Sequence, residues 1–495
     1  MSLIKVEKFD EVHVRVFSDH SVEMELSKFF SFRVPGYQFM HKFKAKLWDG
    51  YARLFNIQTK KLYAGLIEYI KEFAEINGYE IEIGKDISYD MNVTLEQVTD
   101  FTKSINPCSK GNPIEIRDYQ LGAVQKALNA CRVVLQSPTS SGKSLIIYTL
   151  LRWFLERDMK VLIIVPTTSL VEQLYSDFED YSTGNGWNVE NNCQKLYSGL
   201  SKDFTTNVLC TTWQSTFKLP KEWNNQFDVV ICDEAHLATG ASITSMFEKM
   251  TEVKYRIGTT GTIDTNAKIN QLQLEGIMGP IHKVITTREL MDSNRIVNLD
   301  IKCLLLKYND DYRKLLNKCL YKDEVDFIIS NNNRNKFIAN LALKQDGNTL
   351  VLFQFVKKHG KVLHKMIEAR AEDGRKIFFV SGEVKTEDRE HIRKSVEFET
   401  NAIIVASFQT FSTGINIPSI ENIIFASPTK SKIRNLQSIG RGLRLRSGKD
   451  SCTLYDIADD LSWKKSTNHT LKHLAERIKT YSEEQFDFKI HNIDI

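Results

Sequence analysis

The stretch "RVVLQSPTSSGKSLII", residues 132–147, carries one apolar run into another through eight small or polar residues, Ser137–Ser144. Strand, small-residue loop, lysine, hydroxyl and helix follow in that order, which is the layout of a phosphate cradle. Small residues let backbone N–H groups point inward, and the helix N-terminus behind them adds positive potential. Pro138, Thr139, Ser140, Ser141 and Gly142 are the expected cradle, Lys143 reaches the outer phosphates, and Ser144 offers its hydroxyl to magnesium. Ser137 stands where the usual pattern has glycine, a tolerable change if the position needs only a small side chain. The bland alternative is a surface turn before a helix.

A second stretch, "VVICDEAH" (229–236), argues against that alternative. Asp233 and Glu234 emerge at the end of a buried strand, where acids are costly unless they meet a cation or solvent. A magnesium ion on Ser144 supplies the cation, with Asp233 in its outer shell and Glu234 orienting or deprotonating water. Downstream of a phosphate loop, a mere helix cap is the weaker explanation for the pair.

Around these stretches lies a repeating pattern. "RVVLQ", "KVLIIVP", "NVLCTTW" and "FDVVICDE" are nearly continuous apolar runs, as in strands buried on both faces of a parallel sheet. The pattern recurs after about residue 310 in "NTLVLFQF", "RKIFFVSG", "NAIIVASF" and "ENIIFASP", which predicts two tandem α/β domains. "TTRELMDSNRIVNLDIK" (286–302) reads as the connector. Residues 1–106 read as a small α+β module. In it, Val12, Val14 and Val16 alternate as one strand and Val22, Met24 and Leu26 as another. Leu62, Leu66, Ile70 and Phe73 lie on one helical face that stops near Gly78, and "TLEQ" (94–97) forms a capping box. The expected limits are 1–106 for this module, 113–288 and 303–462 for the two α/β domains, and 463–495 for a basic helical tail.

Composition excludes several classes. A net charge of +4 over 495 residues is too small to argue for a polyanionic partner, so that case must rest on local clusters. Eight cysteines without a C-x-x-C pair make a zinc site or disulfide framework improbable and fit a reducing compartment. The N-terminus lacks a continuous apolar core and no apolar run is long enough to span a bilayer, which predicts a cytoplasmic protein with no membrane partner.

The two stretches resemble motifs I and II of the superfamily two helicases and translocases. The remaining motifs of that family follow in order between about 113 and 460. "RDYQ" (117–120) resembles its adenine-reading segment, with Gln120 as reader. "VPTTSLVEQ" (165–173) and "TTWQS" (211–215) resemble strand-contacting motifs, and "GTTGT" (258–262) the motif that links hydrolysis to movement. "FQF" (353–355), "VSGEV" (380–384), "SFQTFSTGIN" (407–416) and "QSIGRGLR" (437–444) complete the set. The resemblance implies two RecA-like domains, ATP and Mg2+ as cofactors, and a nucleic-acid track. It implies Gln437, Arg441 and Arg444 near the γ-phosphate, with Arg444 as the finger. Arg441 and Arg444, three apart, are expected on one helix face. Gly414 belongs to the nucleotide set, while Asn416 replaces the aspartate of many relatives and sets the ribose contact aside. Thr167, Thr212 and Ser407 are the hydroxyls placed for phosphate contacts.

Which nucleic acid the motor tracks turns on the module before it. Residues 36–61 hold six Lys/Arg against one acid, with six aromatics interleaved. Lys42, Lys44, Lys46, Trp48 and Arg53 are the candidates for backbone binding and base stacking. The competing explanation makes the aromatics core and the lysines the wet face of a hairpin. "WKKSTNHTLKHLAERIKTY" (463–481) reads as a basic amphipathic helix that packs back on the second domain or touches nucleic acid. With "FFSFRVPGYQFMHKFKAKLWDG" and "DEAHLATGASI", the whole chain resembles the UvsW helicases of tailed phages, in the host-cell cytoplasm. That resemblance implies a remodeller of branched, forked, single- and double-stranded DNA and of DNA–RNA branches; the sequence leaves the oligomeric state open, with a monomer favoured. An RNA helicase, a translocase serving a restriction nuclease and a non-hydrolysing nucleotide-gated clamp remain its rivals.

Overall fold

The computed structural model describes residues 2–87, 92–197, 203–263, 268–384, 386–414, 419–429, 431–445 and 449–495. The chain divides into two compact units. One comprises Met1–Ser137 and Gly142–Val284, the other Ile285–Ile495, with which the loop residues Pro138–Ser141 group.

The first unit opens with strands β1 (Leu3–Lys8) and β2 (His13–Phe17), then the short pair β3 (Ser31–Arg33) and β4 (Tyr51–Arg53), then β5 (Lys61–Tyr63) and β6 (Glu80–Ile83). β5-β2-β1-β6 form one sheet, antiparallel except for the β1–β6 pair. Two expectations fail here. Val22, Met24 and Leu26 lie on the helix His20–Phe29, not on a strand. Val22 and Leu26 are buried four residues apart while Met24 is 52% exposed, so a period of two and a helical period share their apolar positions. Leu62 belongs to β5, and only Ile70 and Phe73 of the expected face are on the helix Ile67–Asn77, which ends at the left-handed Gly78. The capping box Thr94–Gln97 opens the helix Leu95–Ile105 as expected.

After the β7 (Cys108–Ser109) and β8 (Asn112–Pro113) ribbon come β9 (Arg132–Gln136), β10 (Val161–Val165), β11 (Cys193–Leu196), β12 (Val208–Thr212), β13 (Val229–Asp233), β14 (Tyr255–Thr260) and β15 (Ile281–Lys283). They form a parallel sheet in the order β11-β12-β10-β13-β14-β9-β15. The α+β module is fixed to this domain. Leu272, on the helix Lys268–Met278, is 1% exposed inside the module's own apolar core. Tyr63 Oη donates to Glu248 Oε1 at 2.5 Å, and Arg132 donates to the Glu11 carbonyl and carboxylate at 3.0 and 3.2 Å.

The second unit holds β16 (Asn298–Lys307), β17 (Asn348–Phe353), β18 (Ile377–Val380), β19 (Ile403–Ser407), β20 (Ile420–Phe425), β21 (Ser451–Asp460) and β22 (Phe488–Asp494). Their order is β18-β19-β17-β20-β21-β16-β22, again parallel. The last five residues of the expected connector, 298–302, therefore belong to β16, and a domain start at 303 falls inside that strand. Its alternating burial hid it, because β16 presents one face to the core and the other outward. The tail is not purely helical either. Its helix, His469–Glu483, buries Leu474, Arg477 and Tyr481, and β22 then joins the sheet beside β16. Among the described residues no helix is long and apolar enough to cross a membrane.

Candidate active site and strand contacts

β9 delivers the loop Ser137–Gly142 to the helix Lys143–Leu155. Ser137 is fully buried, and its amide donates to the Thr260 carbonyl at 2.9 Å while its carbonyl accepts from Lys143 Nζ at 3.1 Å. The bonds to Thr260 and Lys143 use the Ser137 backbone and so do not depend on which small side chain stands there. Ser140 (φ 71°) and Gly142 (φ 84°) turn the loop through the left-handed region, the geometry that gathers amides into an anion nest. At Gly142 a Cβ would also overlap the Gln120 carboxamide. Gln120, 3% exposed, is thus brought to the loop, and its Oε1 accepts from the Arg117 amide at 3.0 Å.

β14 lies between β13 and β9, and its last residues connect the acids to the loop. Thr259 Oγ1 donates to Asp233 Oδ1 at 2.7 Å. Thr260 Oγ1 lies 3.0 Å from His236 Nδ1, which is 3.3 Å from Glu234 Oε2, and the Thr260 carbonyl holds Ser137. A Cβ at Gly258 would press on Ala235, so strand and acid turn are in close contact. Burial pushes the Asp233 carboxyl above its ordinary value, the Glu234 charge adds to that, and Lys143 partly offsets both. Glu234 itself has φ 52° and ψ 45°, a conformation rare for a non-glycine residue. His236, Thr259 and Thr260 were not singled out from sequence; their signal was the motif context, "DEAH" and "GTTGT".

A magnesium ion suits this donor set only in part. Among the described residues no three His, Cys, Asp or Glu side chains cluster to hold a metal. One hydroxyl from Ser144 and one carboxylate from Asp233 match an ion that keeps waters and takes its remaining ligands from phosphates. There it would supply charge neutralisation on the phosphate oxygens.

In the second unit, Gln437 and Arg441 lie on the helix Lys432–Gly442, and the Arg441 guanidinium sits 5.8 Å from the Phe411 ring centroid. Arg444 does not share that helix. Lys449 Nζ donates to the Gly442 carbonyl and, at 3.3 Å, to that of Arg444, while the Val297 amide takes the Leu443 carbonyl at 3.0 Å. These bonds satisfy carbonyls that the end of the helix leaves without intrahelical partners. A cation at a helix C-terminus is also favoured by the dipole. Gly414 ends the helix Phe408–Gly414; Asn416 lies outside the described residues.

The strand-contact candidates divide. Thr167 caps the helix Thr168–Ser182, its Oγ1 accepting from Leu170 N at 3.3 Å. Thr212 ends β12, 3.0 Å from Ser215 Oγ, and Ser407 ends β19, donating to Thr410 Oγ1 at 2.7 Å. All three sit at the C-terminal ends of parallel strands, where open α/β sheets bind ligands. In the α+β module, the excursion between β3 and β4 leaves Lys42, Lys44 and Lys46 exposed. Arg53 pairs with Asp49, and Trp48 Nε1 donates to the Tyr51 carbonyl at 2.8 Å. Of the six aromatics only Phe55 belongs to the buried core, Phe39 is 74% exposed, and Tyr37 and Phe43 pack edge to face on the surface. Attribution of these rings to a core is corrected accordingly: a 17-residue excursion joined by three-residue strands has no second layer to bury them.

Two parallel seven-stranded sheets, one carrying a phosphate loop and an acid pair joined by a threonine bridge, define the motor class of superfamily two. Residues 113–265 match the model of the Type III restriction enzyme res subunit, and residues 333–446 that of the helicase conserved C-terminal domain. Residues 3–84 match the N-terminal domain of DNA helicase UvsW. The chain is 35% identical over 510 residues to the ATP-dependent DNA helicase uvsW of Enterobacteria phage T4, covering 99% of this chain and 100% of that one. The crystal structure of T4 UvsW aligns over 99% of both chains with 34% identity and a TM-score of 0.52. The DUF1998 helicase MrfA bound to DNA shares the fold at 15% identity and a TM-score of 0.56, over 82% of this chain and 52% of that one. The chain belongs to the UvsW helicase family. It is an ATP-dependent helicase.

Proposed function

We propose that the chain hydrolyses MgATP to move along DNA and to remodel branched DNA, by branch migration, fork regression, unwinding and annealing, as a monomer. In this reading the loop Pro138–Ser144 and Gln120 bind the nucleotide, with Gly414 part of the same set. Lys143 neutralises the outer phosphates, Ser144 and Asp233 hold magnesium, and Glu234 activates water. Gln437, Arg441 and Arg444 act on the γ-phosphate. Thr167, Thr212 and Ser407 take strand phosphates, and Lys42, Lys44, Lys46, Trp48 and Arg53 read the junction. DNA–RNA branches are further substrates.

What supports the reading above all is the end of β14. One dipeptide, Thr259-Thr260, holds the magnesium carboxylate, the histidine beside Glu234 and the first residue of the phosphate loop. A change of phosphate occupancy at the loop is thereby felt at the acids, as a switch coupled to hydrolysis requires. ATP turnover measured with forked DNA, Holliday junctions, plain single strands and structured RNA tests the proposal. Forked and junction DNA should stimulate most, and Lys143→Ala should abolish turnover on each. Strongest stimulation by RNA rejects the DNA assignment, and unchanged turnover in Lys143→Ala rejects the site.

A further inference from the structure

We propose that the second unit carries an additional binding surface for single-stranded nucleic acid, formed by residues 308–322 and 463–473. The inference deepens the motor reading and rests on it for the direction of the track. The two segments leave the C-terminal ends of β16 and β21, which are neighbours in register, Lys307 opposite Asp460. Because the strands are parallel, those ends lie on the sheet edge that also carries Ser407 at the end of β19. β21 stands three places and β16 four places from β19, about 14 and 19 Å along that edge at ~4.8 Å per strand. The segments therefore prolong the edge on which the strand-contact candidate sits.

Specific contacts join them into one surface. Arg313 Nε donates to the Ser462 carbonyl at 2.7 Å, and Arg313 and Lys314 lie 5.8 and 5.1 Å from the Trp463 ring centroid. The Tyr321 ring packs on His469 and His473 at 6.0 and 5.4 Å. A cleft of about 290 Å³ opens between the segments, with Asn317, Lys318, Ser466, Thr467, His469 and Lys472 among its lining residues.

Charge and shape then select the occupant. Lys314, Lys318, Lys322, Lys464, Lys465 and Lys472 are all exposed. Of the acids nearby, Asp310 pairs with Arg313 and Glu324 is buried, accepting from the His469 and Thr470 amides that begin the tail helix. Asp311 and Asp323 remain exposed, so lysines dominate. Lys318 (φ 61°) and Lys464 (φ 53°) stand at left-handed turn positions where glycine or asparagine costs less. Between the lysines, Leu315 and Leu320 are 74% and 73% exposed, and Tyr321 43%. Flat and apolar side chains among cations suit unpaired bases and their phosphates, whereas a duplex keeps its base faces hidden. Lysine-rich surface is also the kind that protein–protein interfaces avoid.

The test uses the full chain, equilibrium binding of a fluorescent oligo(dT) and its salt dependence. Two variants are compared with wild type: Lys318→Glu with Lys464→Glu and Lys465→Glu, and Leu320→Ala with Tyr321→Ala. The charge variant should bind the strand about tenfold more weakly at 0.1 M salt. Its log–log salt slope should fall by about 2, since each lost contact removes roughly 0.7. The Leu320/Tyr321 variant should lose affinity with the slope unchanged. Nucleotide-free melting identifies any variant that is merely unfolded, and the other variant then decides. Wild-type affinity and slope in the folded variants overturn the surface, including the case where only sedimentation changes, which reassigns it to protein contact. Wild-type turnover that no nucleic acid stimulates would remove the motor reading alone, because strand binding is read directly.

Discussion

Glu234 occupies left-handed backbone beside a carboxylate that burial and charge hold above its ordinary pKa. Such strain, of order 1 kcal/mol or more, persists where surrounding contacts over-determine the geometry. His236, Thr259 and Thr260 provide those contacts. The ionised form of Asp233 is disfavoured by the fold, so its cost to the nucleotide-free protein is absent below the ordinary carboxylate pKa, grows as pH rises toward the raised value and is complete above it. Asp233→Asn keeps an acceptor for Thr259 and removes the charge. It should raise the nucleotide-free Tm at neutral pH while lowering ATP turnover about a thousandfold. A lower Tm would mean that the carboxylate is stabilised where it stands. The placement of Lys143 at a helix start and of Asp233 and Glu234 at a strand end was legible, because apolar runs flank them in the sequence. The roles of Thr259, Thr260 and His236 were not, since only the strand order brings residues 137, 236 and 260 together.

Among elements, the wide helical turn Val356–Gly360 after β17 is the least expected. It buries His359 completely between Ser427 Oγ at 2.9 Å and Asn335 Oδ1 at 3.1 Å. Asn335 Nδ2 donates to the Ile329 carbonyl, so its oxygen must accept from His359 Nε2, and His359 Nδ1 must accept from Ser427. Ser427 in turn accepts from the Gln354 amide, tying the ends of β17 and β20 to the helix Asn332–Leu343. That arrangement requires neutral imidazole. Burial and the nearby Arg334, itself paired with Asp459, push the His359 pKa down to about 3. The unfolded chain takes up a proton near pH 6.5, so this stability is present above 6.5 and is lost as pH falls toward 3. Urea unfolding of wild type should lose about 2 kcal/mol more between pH 7 and pH 5 than that of His359→Gln. Equal losses would place the ring outside the network. The buried strands of both sheets were legible as apolar runs. The helix His20–Phe29 and strand β16 were not, because half-buried elements leave a pattern that two periods can fit.

On the scale of the whole molecule, the α+β module and the first motor domain share a core through Leu272. Removing residues 1–105 would therefore expose apolar surface on the motor as well as delete Lys42, Lys44 and Lys46, and would not isolate junction reading. Leu272→Ala should destabilise the first unit by about 2–5 kcal/mol, a large-to-small change in a closed core. Limited proteolysis should then cut within residues 1–87 well below the temperature at which the wild-type chain is attacked. Resistance equal to wild type would show that the module closes without that side chain.

Leu272 also dictates an order of events during synthesis. The module leaves the ribosome first, yet the side chain that plugs it is made some 190 residues after Ile83, the last residue of its sheet. At about 5–20 residues per second the nascent module waits roughly 10–40 s with an open apolar seam. Through that interval it is a client for holdase chaperones, and slow codons upstream of residue 272 would lengthen its exposure to aggregation.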